Sequence, residues 1–257
     1  MSDTQHDAGA PVALITGSSA GIGQSIAYTL AAAGYRLVVT SRALERATEA
    51  SRVLNDQGFT AVPAAVDVSD PDQVEAMFDT LDREYGRLDV LVNNAGIASI
   101  GPSETFPLRR WNKILALNLT APFQCSQLAA HRMDARGGVI VNIGSIYSTV
   151  SAPHRAAYVS SKHGLIGLTK ALASEWAPKG IRVLAVCPSY VMTDLIQQAV
   201  DSGNFDETRI LGRTPVGRLG TTAEVANVVR FLVSDDARYM TGSVVQVDGG
   251  WAGFGGA

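Results

Sequence analysis

Three residues of this chain, Ser145, Tyr158 and Lys162, have the types and the spacing needed to move a proton. Tyr158 and Lys162 are spaced i and i+4, so on a helix their side chains lie on one face. Ser145 ends the apolar segment 138–145, which is typical of a strand. The sequence therefore predicts that a strand end and a helix face converge on these three side chains.

The chemistry of this group would be proton transfer at a substrate oxygen. A phenol has an ordinary pKa of about 10 and exchanges its proton poorly at neutral pH. A neighbouring Lys162 ammonium favours the phenolate, so we expect it to lower the pKa of Tyr158. Ser145 can donate and accept, and could hold the carbonyl or alcohol oxygen on which Tyr158 acts. The Tyr-x-x-x-Lys spacing also arises by chance on helices, so the interpretation depends on the rest of the chain.

A glycine-rich turn near the start of the chain predicts a site for a dinucleotide phosphate. The apolar run 12–15 leads into Gly17, Gly21 and Gly23, and a helix-like segment 24–33 follows. Glycines let the backbone approach a pyrophosphate, and the helix N-terminus offers free N–H groups. The spacing is G-x-x-x-G-x-G and not the commoner G-x-G-x-x-G. A tight strand-to-helix turn that binds no ligand would also use such glycines.

Five motifs together resemble the classical short-chain dehydrogenase/reductase family, in its order and at its usual intervals. They are Thr16-Gly-x-x-x-Gly-Ile-Gly23, Asn93-Asn-Ala-Gly96, Asn118, Ser145 and Tyr158-x-x-x-Lys162. The resemblance covers nearly the whole chain, up to Val247-Asp-Gly-Gly250. It implies a single Rossmann-type domain that transfers a hydride between a nicotinamide cofactor and an alcohol or carbonyl.

The resemblance also implies a role for each residue of a catalytic set. Tyr158 would be the acid or base, Ser145 would orient and polarise the substrate oxygen, and Lys162 would tune the phenol and bind the nicotinamide ribose. Asn118 lies in an otherwise apolar helical run, where an amide without a partner is costly. By resemblance it bends that helix and holds a water through which Lys162 passes protons. A buried asparagine satisfied by backbone atoms is the alternative interpretation.

The residues after the second strand predict the cofactor. NAD enzymes of this fold usually carry an acid there, whereas this chain has Ser41 and Arg42 and no carboxylate before Glu45. Ser41 and Arg42 could donate to a ribose 2′-phosphate, which favours NADP(H). If Arg42 only begins an exposed helix, NAD(H) or dual use stays open. By resemblance the other cofactor contacts are Gly17, Ser19, Gly21, Ile22, Gly23, Asp67, Val68, Asn94, Ala95, Gly96, Tyr158, Lys162, Pro188, Val191 and Thr193.

The coarse pattern alternates strands and helices along the chain. Strands are predicted near residues 12–16, 36–40, 61–67, 88–93, 138–144, 181–187 and 243–247. This alternation predicts an α/β fold: a single Rossmann-type domain with a doubly wound seven-stranded parallel sheet (order 3-2-1-4-5-6-7) and helices on both faces. Pro63 lacks a ladder donor, which suits the edge position of the third strand in that order.

Local signals predict where several helices begin and end. Asp70 before Pro71 is typical of an N-cap, and Thr221 with Glu224 forms a capping-box pattern. Glycines at three positions fit helix ends: Gly34, Gly58 and Gly86.

The substrate side of the site is harder to read. Residues 1–10 are predicted as a flexible N-terminal tail and 11–257 as the domain, with a substrate lid near 194–212 that mixes apolar residues, acids and glycine. Ser189 stands where the family usually has the glycine of a Pro-Gly pair, so a side chain there would crowd the pocket. The candidate pocket residues are Ser99, Ile146, Tyr147, His154, Ser189, Tyr190 and Leu195, with Trp251 also within reach, although packing or exposure would explain each of them.

Composition bounds the partners. The 257 residues fit one α/β domain, and a net charge of −3 gives no basic field for nucleic acid. No basic leader or long apolar run is present, so we expect a cytoplasmic protein without a membrane partner. Cys125 and Cys187 lack metal-ligand spacing, which predicts two buried thiols and no metal. The resemblance implies a homo-oligomer, a tetramer or dimer, with the apolar run 164–173 either at an interface or buried in the monomer.

The function predicted from these features is reduction of a carbonyl to a secondary alcohol, with 3-oxoacyl thioesters, ketones and sugar-type compounds as the open substrate classes. A non-catalytic nicotinamide-binding sensor or scaffold is the first alternative, because fold alone does not establish chemistry. An epimerase or dehydratase of the extended branch is the second. The length and the glycine spacing of this chain argue against it.

Overall fold

Strands and helices alternate through the computed structural model, which describes residues 9–133, 136–203 and 205–254. Most of the predicted tail at 1–10 therefore lies outside the described residues. The strands are β1 Val12–Ile15, β2 Arg36–Ser41, β3 Ala61–Ala65, β4 Val90–Asn93, β5 Gly138–Ile143, β6 Ile181–Pro188, β7 Val191–Met192, β8 Gly220–Thr221 and β9 Val244–Val247. The helices are α1 Gly21–Ala32, α2 Leu44–Asp56, α3 Pro71–Glu84, α4 Leu108–Leu115, α5 Ala121–Met133, α6 Ala156–Trp176, α7 Asp194–Asp201, α8 Glu207–Leu211 and α9 Thr222–Val233.

Seven of the strands form one parallel sheet with the order β3-β2-β1-β4-β5-β6-β9. This confirms the predicted fold class and strand order, with β9 as the seventh strand of the sheet. β3 pairs only with β2, so Pro63 is on an edge strand as predicted. The sequence did not predict β7 and β8, which pair with each other in a separate ladder. Two residues are too few to show the alternation by which a strand is recognised.

Both faces of the sheet are covered by helices, which explains why β1 is apolar at every position. Ile15 packs on the face that holds α1 and α9, with Ile26 and Val229. Its neighbour Leu14 packs on the opposite face with Phe78 of α3 and Met133 of α5. Successive strand residues point to opposite faces, so β1 contributes to both cores.

The predicted helix boundaries agree with the hydrogen bonds at the helix ends. The Asp70 side chain accepts from the backbone N–H of Asp72 at 3.1 Å, and α3 begins at the next residue, Pro71. Thr221 and Glu224 form the predicted capping box before α9. Hydrogen bonds from Arg218 and then from the backbone and hydroxyl of Thr221 lower the pKa of Glu224 to about 2. Left-handed glycines follow the first three helices as predicted: Gly34, Gly58 and Gly86.

A π turn, Ala116–Thr120, joins α4 to α5. The backbone N–H of Ala121 donates to the Ala116 carbonyl, five residues earlier, so the helix is wider by one residue at this point. Asn118 lies in this turn and is buried. The resemblance predicts a bend of this helix at Asn118, and the structure has a π turn at that position.

Two further observations bear on the predicted partners. Within the described ranges, no helix combines the length and the apolar character needed to cross a membrane. Cys125 and Cys187 are free and buried, and burial raises the pKa of the Cys125 thiol to about 12. Neither thiol is poised to ionise at neutral pH.

Candidate active site

The predicted proton-transfer residues meet at the carboxyl edge of the sheet. Ser145 follows β5 and begins the short 3-10 turn Ile146–Ser148, while Tyr158 and Lys162 come from the first turns of α6. The carboxyl ends of parallel strands are where α/β folds bind ligands. The structure thus brings these three side chains to the edge at which the sequence placed them.

The hydroxyl of Ser145 is fixed by its own turn. Its Oγ accepts from the backbone N–H of Tyr147 at 3.2 Å, and its backbone N–H donates to Ser148 Oγ at 3.1 Å. The Ser145 hydroxyl is close enough to the Tyr158 hydroxyl to favour its ionised form. Ser145 is 8% exposed, so a reacting oxygen that binds here would meet two preplaced hydroxyl groups.

Burial dominates the acidity of Tyr158. It raises the pKa of the phenol above its ordinary value, while the Ser145 hydroxyl and the Arg155 charge oppose that rise. The expected lowering by Lys162 is therefore wrong for this structure. Lys162 Nζ lies 5.9 Å from the centre of the Tyr158 ring and donates to the Ile143 carbonyl at 2.7 Å. Burial lowers the pKa of Lys162 itself to about 8. A lysine that loses its charge more easily stabilises a neighbouring phenolate less.

Asn118 is hydrogen-bonded to the backbone of Ile97 and to the side chain of Ser161. Its Oδ1 accepts from the N–H of Ile97 at 2.9 Å, and its Nδ2 donates to the Ile97 carbonyl at 2.9 Å and to Ser161 Oγ at 3.1 Å. A Cβ built on Gly96 would lie 3.3 Å from Asn118 Oδ1 and 3.7 Å from Lys162 Nζ. Asn118 and Lys162 therefore present their polar ends to the same backbone segment.

A buried polar network holds the helix that carries Tyr158. Asn93 Nδ2 donates to Asn142 Oδ1 at 2.8 Å and to Ser126 Oγ at 3.1 Å, and Asn142 Nδ2 donates to Thr169 Oγ1 at 2.9 Å. These bonds tie β4 and β5 to α5 and α6. The side chain of Asn93 is thus engaged in this network, and residues 94–96 are the part of the predicted cofactor segment that remains at the edge of the sheet.

The side chains of Thr40 on β2 and of Asn94, just after β4, fix the backbone of the glycine turn, residues 16–23. The N–H of Gly17 donates to Thr40 Oγ1 at 2.9 Å, and Asn94 Nδ2 donates to the carbonyls of Thr16 and Gly17 at 2.9 and 3.0 Å. Thr16 Oγ1 accepts from the N–H groups of Asn94 and Ala95. Sequence reasoning missed Thr16 and Thr40 as supports, because only their tertiary contacts show this role.

The glycine turn fits a phosphate group. A Cβ on Gly23 would lie 2.3 Å from the Gly17 carbonyl, so glycine is required there. Gly17 and Gly21 have φ values of 66° and 57°, which other residues rarely adopt. No side chain caps the start of α1, whose first N–H groups are therefore available to an anion. Thr193, another predicted cofactor contact, lies against Gly21.

The predicted adenosine contacts lie at the ends of β2 and β3. Asp67 accepts from the N–H of Ser69 at 3.0 Å and from its hydroxyl at 2.6 Å, which lowers the pKa of the carboxyl. The charge of the exposed Arg42 contributes to that shift, so Arg42 and Asp67 face the same region. Ser41 ends β2. Val68 is buried and Ile22 packs against the core, so contacts by these two would come mainly from their backbones.

Four aromatic side chains, Tyr147, Tyr158, Tyr190 and Trp251, form a cluster on the substrate side. Tyr147 and Tyr190 share a hydrogen bond of 2.9 Å between their hydroxyls. The Tyr147 and Tyr158 ring centres are 6.2 Å apart, and those of Tyr190 and Trp251 are 5.4 Å apart. Ile146 packs within this aromatic cluster. Four of the predicted pocket positions are therefore gathered around Tyr158.

The other predicted pocket residues, Ser99, His154, Ser189 and Leu195, are not among the residues of the aromatic cluster. Ser99 is half-buried, while His154 is exposed and its carbonyl accepts from the N–H of Gly101 at 2.9 Å. Ser189 is half-buried, and its backbone N–H donates to the Val247 carbonyl. Together with Tyr190 it lines a cavity of about 260 Å³. The side chain of Leu195 lies outside the described side chains.

The predicted lid segment 194–212 contains α7 and α8, and residue 204 within it lies outside the described residues. Phe205 contacts Tyr190, with ring centres 5.8 Å apart, and Ile210 packs on the aromatic cluster. The segment is thus in contact with the substrate side through apolar groups. Across the described ranges, no group of His, Cys, Asp and Glu side chains could hold a metal ion.

Comparisons with known proteins agree with this geometry. The family model described as enoyl-(acyl carrier protein) reductase matches residues 17–252. The 3-oxoacyl-[acyl-carrier-protein] reductase FabG of Escherichia coli (strain K12) is 38% identical over 240 residues, which are 93% of this chain and 96% of that protein. This chain belongs to the short-chain dehydrogenase/reductase family.

Other members extend the range of named activities. The D-threitol dehydrogenase of Mycolicibacterium smegmatis is 37% identical to this short-chain dehydrogenase/reductase over 93% of this chain and 92% of that protein. The solved gluconate 5-dehydrogenase of Burkholderia cenocepacia J2315, in complex with NADP and tartrate, has a TM-score of 0.89. It is 36% identical and covers 95% of this chain and 96% of its own. This short-chain dehydrogenase/reductase is thus a member of an oxidoreductase family that acts with nicotinamide cofactors.

Proposed function

We propose that this protein is an NADP-dependent oxidoreductase that reduces a carbonyl group to a secondary alcohol. The observation that carries the proposal is the convergence of Ser145, Tyr158, Lys162 and Asn118 beside the glycine turn. A site that only bound a nucleotide would not need two neighbouring hydroxyls and a buried lysine at this edge. The same convergence disfavours a sensor or scaffold.

Tyr158 acts as the acid. Burial raises its pKa, so the phenol holds its proton at neutral pH and can donate it to a carbonyl oxygen. Ser145 binds the same oxygen and stabilises the negative charge that develops there. Both groups are placed before substrate binds, which lowers the entropy cost of reaching the reactive arrangement.

Lys162 returns a proton to Tyr158 after each turnover. Its pKa of about 8 lies near working pH, where a group can both lose and regain a proton. Asn118 has both Nδ2 protons engaged, but its Oδ1 accepts only from Ile97 and can accept one further bond. A water held between Asn118 and Lys162 would complete the route to solvent.

A bound nicotinamide cofactor would supply the hydride. The first N–H groups of α1 and the glycine turn would hold its phosphates, and Thr193 would lie beside that turn. Arg42 and Ser41 would donate to a 2′-phosphate, which favours NADP(H) over NAD(H). We assign the other contacts to Ser19, Ile22, Asp67, Val68, Asn94, Ala95, Gly96, Tyr158, Lys162, Pro188 and Val191.

The substrate side is proposed to close with the 194–212 segment. Phe205 and Ile210 already contact the aromatic cluster, so a movement of this segment would open or cover Tyr158. The relatives named for 3-oxoacyl thioester, threitol and gluconate chemistry support a substrate with a hydroxyl or oxo group on a secondary carbon.

The first test is loss of nicotinamide absorbance with NADPH and with NADH, across ketones, aldehydes, 3-oxoacyl thioesters and keto-sugars. We expect turnover with NADPH, and a fall of about 10²–10⁴-fold in kcat for Tyr158→Phe. Tyr28→Phe removes the same hydroxyl from an exposed tyrosine and is the matched control. Tight cofactor binding without turnover of any compound would favour the sensor.

Arg42→Gln tests the cofactor assignment separately. We expect KM for NADPH to rise about 10- to 100-fold, because a charge-assisted bond to a phosphate is lost, with KM for NADH unchanged. Arg46→Gln, an exposed position in the first turn of α2, the helix that follows Arg42, is the control. Equal effects of the two variants, or a wild-type preference for NADH, would contradict the assignment to NADP.

A further inference from the structure

Arg155 is a cation at the substrate side that the proposed reaction does not use. Its guanidinium lies over the Tyr147 ring, with Cζ 5.1 Å from the ring centre. The residue is half-buried. No carboxylate in the part of the chain that the structure describes lies within ion-pair distance of it. Its donors are therefore free for a ligand.

Three cations, Arg155, Arg209 and Arg213, lie near the aromatic cluster. The charge of Arg155 reaches the phenols of both Tyr158 and Tyr190, and that of Arg209 reaches Tyr190. The guanidinium of Arg213 lies 5.0 Å from the centre of the Trp251 ring. One carboxylate also lies there, because Asp248 accepts from the backbone N–H groups of Gly250 and Ala252, on either side of Trp251. Arg155 is the cation whose charge reaches the phenol of Tyr158, so it is the cation that a substrate anion would meet beside that phenol.

The backbone holds Arg155 in place from both sides. The preceding residue, His154, has a φ of 62°, which is uncommon for a residue other than glycine, and its carbonyl accepts from the N–H of Gly101. The Arg155 carbonyl accepts from the N–H of Val159 at 2.8 Å as α6 begins. A cation on a fixed backbone loses less entropy when it binds a ligand.

We propose that the substrate of this site is an oxo acid or hydroxy acid whose carboxylate binds Arg155 while its reacting oxygen lies between Ser145 and Tyr158. The planar guanidinium matches the two oxygens of a carboxylate. The aromatic cluster would bury the carbon atoms between the two groups. The inference rests on the proposed reduction at Tyr158 and adds the chemical class of the substrate.

The kinetic test compares 2-oxo, 3-oxo and 4-oxo acids of four to six carbons with their neutral methyl esters, using NADPH. We expect wild type to prefer at least one acid over its ester by more than about tenfold in kcat/KM. Arg155→Gln should raise KM for that acid about 10- to 100-fold with little change in kcat, and should leave the ester unaffected. Arg155→Lys should recover part of the affinity because it keeps the charge.

Arg238→Gln controls for a general loss of positive charge. Arg238 is exposed and follows the 3-10 turn Asp235–Ala237, after the carboxyl-terminal end of α9. This variant should match wild type with every acid. An equal loss for acid and ester in Arg155→Gln would mean that Arg155 only supports the loop, and would overturn the inference.

A binding measurement separates this inference from the proposed reaction. Tartrate, a hydroxy acid, is titrated by calorimetry into each variant saturated with NADP⁺. Weaker binding to Arg155→Gln than to Arg238→Gln supports the carboxylate site even if no panel compound turns over, in which case only the proposed reaction fails. Equal tartrate affinity in both variants would overturn the carboxylate site, whatever the turnover results.

Discussion

The glycine turn and the aromatic cluster lie at the same edge of the sheet, but different interactions hold them. The turn is fixed by short hydrogen bonds from Thr40 and Asn94 to backbone atoms. The cluster is held by ring contacts and one hydroxyl pair, Tyr147 with Tyr190. Backbone-fixed geometry depends on residue size at single positions, whereas ring packing tolerates substitution. The glycine turn therefore suits a ligand group that does not vary, such as the phosphates of a cofactor. The aromatic cluster suits a substrate that varies between enzymes.

Gly23→Ala should have the largest effect, because it distorts the glycine turn. Its Cβ would lie 2.3 Å from the Gly17 carbonyl and 2.5 Å from Asn94 Nδ2, so the turn would have to shift. We expect the free energy of unfolding to fall by about 1–3 kcal/mol and cofactor affinity to fall with it. Urea unfolding and cofactor titration measure the two effects.

Gly167→Ala is the matched control for that variant. Gly167 lies inside α6, and a Cβ added there would have no other atom within 4 Å. Alanine there should raise the free energy of unfolding by about 0.5–1 kcal/mol because it restricts the unfolded chain. If Gly23→Ala were as stable as wild type and bound cofactor equally well, the account of a rigid turn would be wrong.

A pH profile tests the residues between the two regions. The pKa of Lys162 is lowered to about 8, so its ammonium is present below that pH and is lost above it. We expect kcat/KM for reduction to fall above about pH 8, by up to tenfold per pH unit. The pKa of Tyr158 is raised, so the phenol keeps its proton in this range. A profile that stays flat to about pH 10, the ordinary pKa of a phenol, would contradict the role of Lys162 as proton donor.

Tyr190→Phe tests the tolerance of the aromatic side. It removes one hydroxyl of the pair with Tyr147 and keeps the rings, so we expect a loss of about 0.5–1.5 kcal/mol in the free energy of unfolding and a change in KM larger than that in kcat. Tyr239→Phe, on a fully exposed side chain, is the control for thermal unfolding and steady-state kinetics. A fall in kcat as large as that of Tyr158→Phe would place Tyr190 in the chemistry.

His154→Gly should have the smallest effect. Its φ of 62° suits glycine better than histidine, but glycine adds freedom to the unfolded chain, so we expect a gain of no more than about 1 kcal/mol. His163→Gly, on an exposed face of α6, should cost about 0.5–1 kcal/mol instead. Shifts of the same sign in both variants would show that the left-handed position carries little strain.

The sheet and its strand order were predictable because parallel strands buried on both faces are continuous apolar runs separated by helices. All seven strands of the sheet were placed to within two residues at each end. The family resemblance supplied the catalytic set, and the structure brings Asn118, Ser145, Tyr158 and Lys162 to one edge. The apolar strands recur along the chain and the family motifs have fixed spacing, so both can be recognised in a single sequence.

The properties that depend on burial and distant contacts were not predictable. The sign of the pKa change at Tyr158 was wrong, because the neighbouring charge can be read from the sequence but the depth of the phenol cannot. Arg155 was missed because it belongs to no motif, and only the ring of Tyr147 shows where its guanidinium lies. β7 and β8 were missed because each has two residues.

The π turn at Ala116–Thr120 means that the position of Asn118 depends on the length of one helical segment. A π turn contains one residue more than the α-helix it interrupts. Deleting Ala116 would let α4 and α5 join as one regular helix and would rotate the residues before the deletion by about 100° relative to those after it. Burial of Ile114 on α4 and the bonds from Asn118 to Ile97 and Ser161 could then not be kept together. An insertion or deletion in this segment should therefore be far less tolerated than a substitution, which gives a criterion for recognising family members that have lost this arrangement.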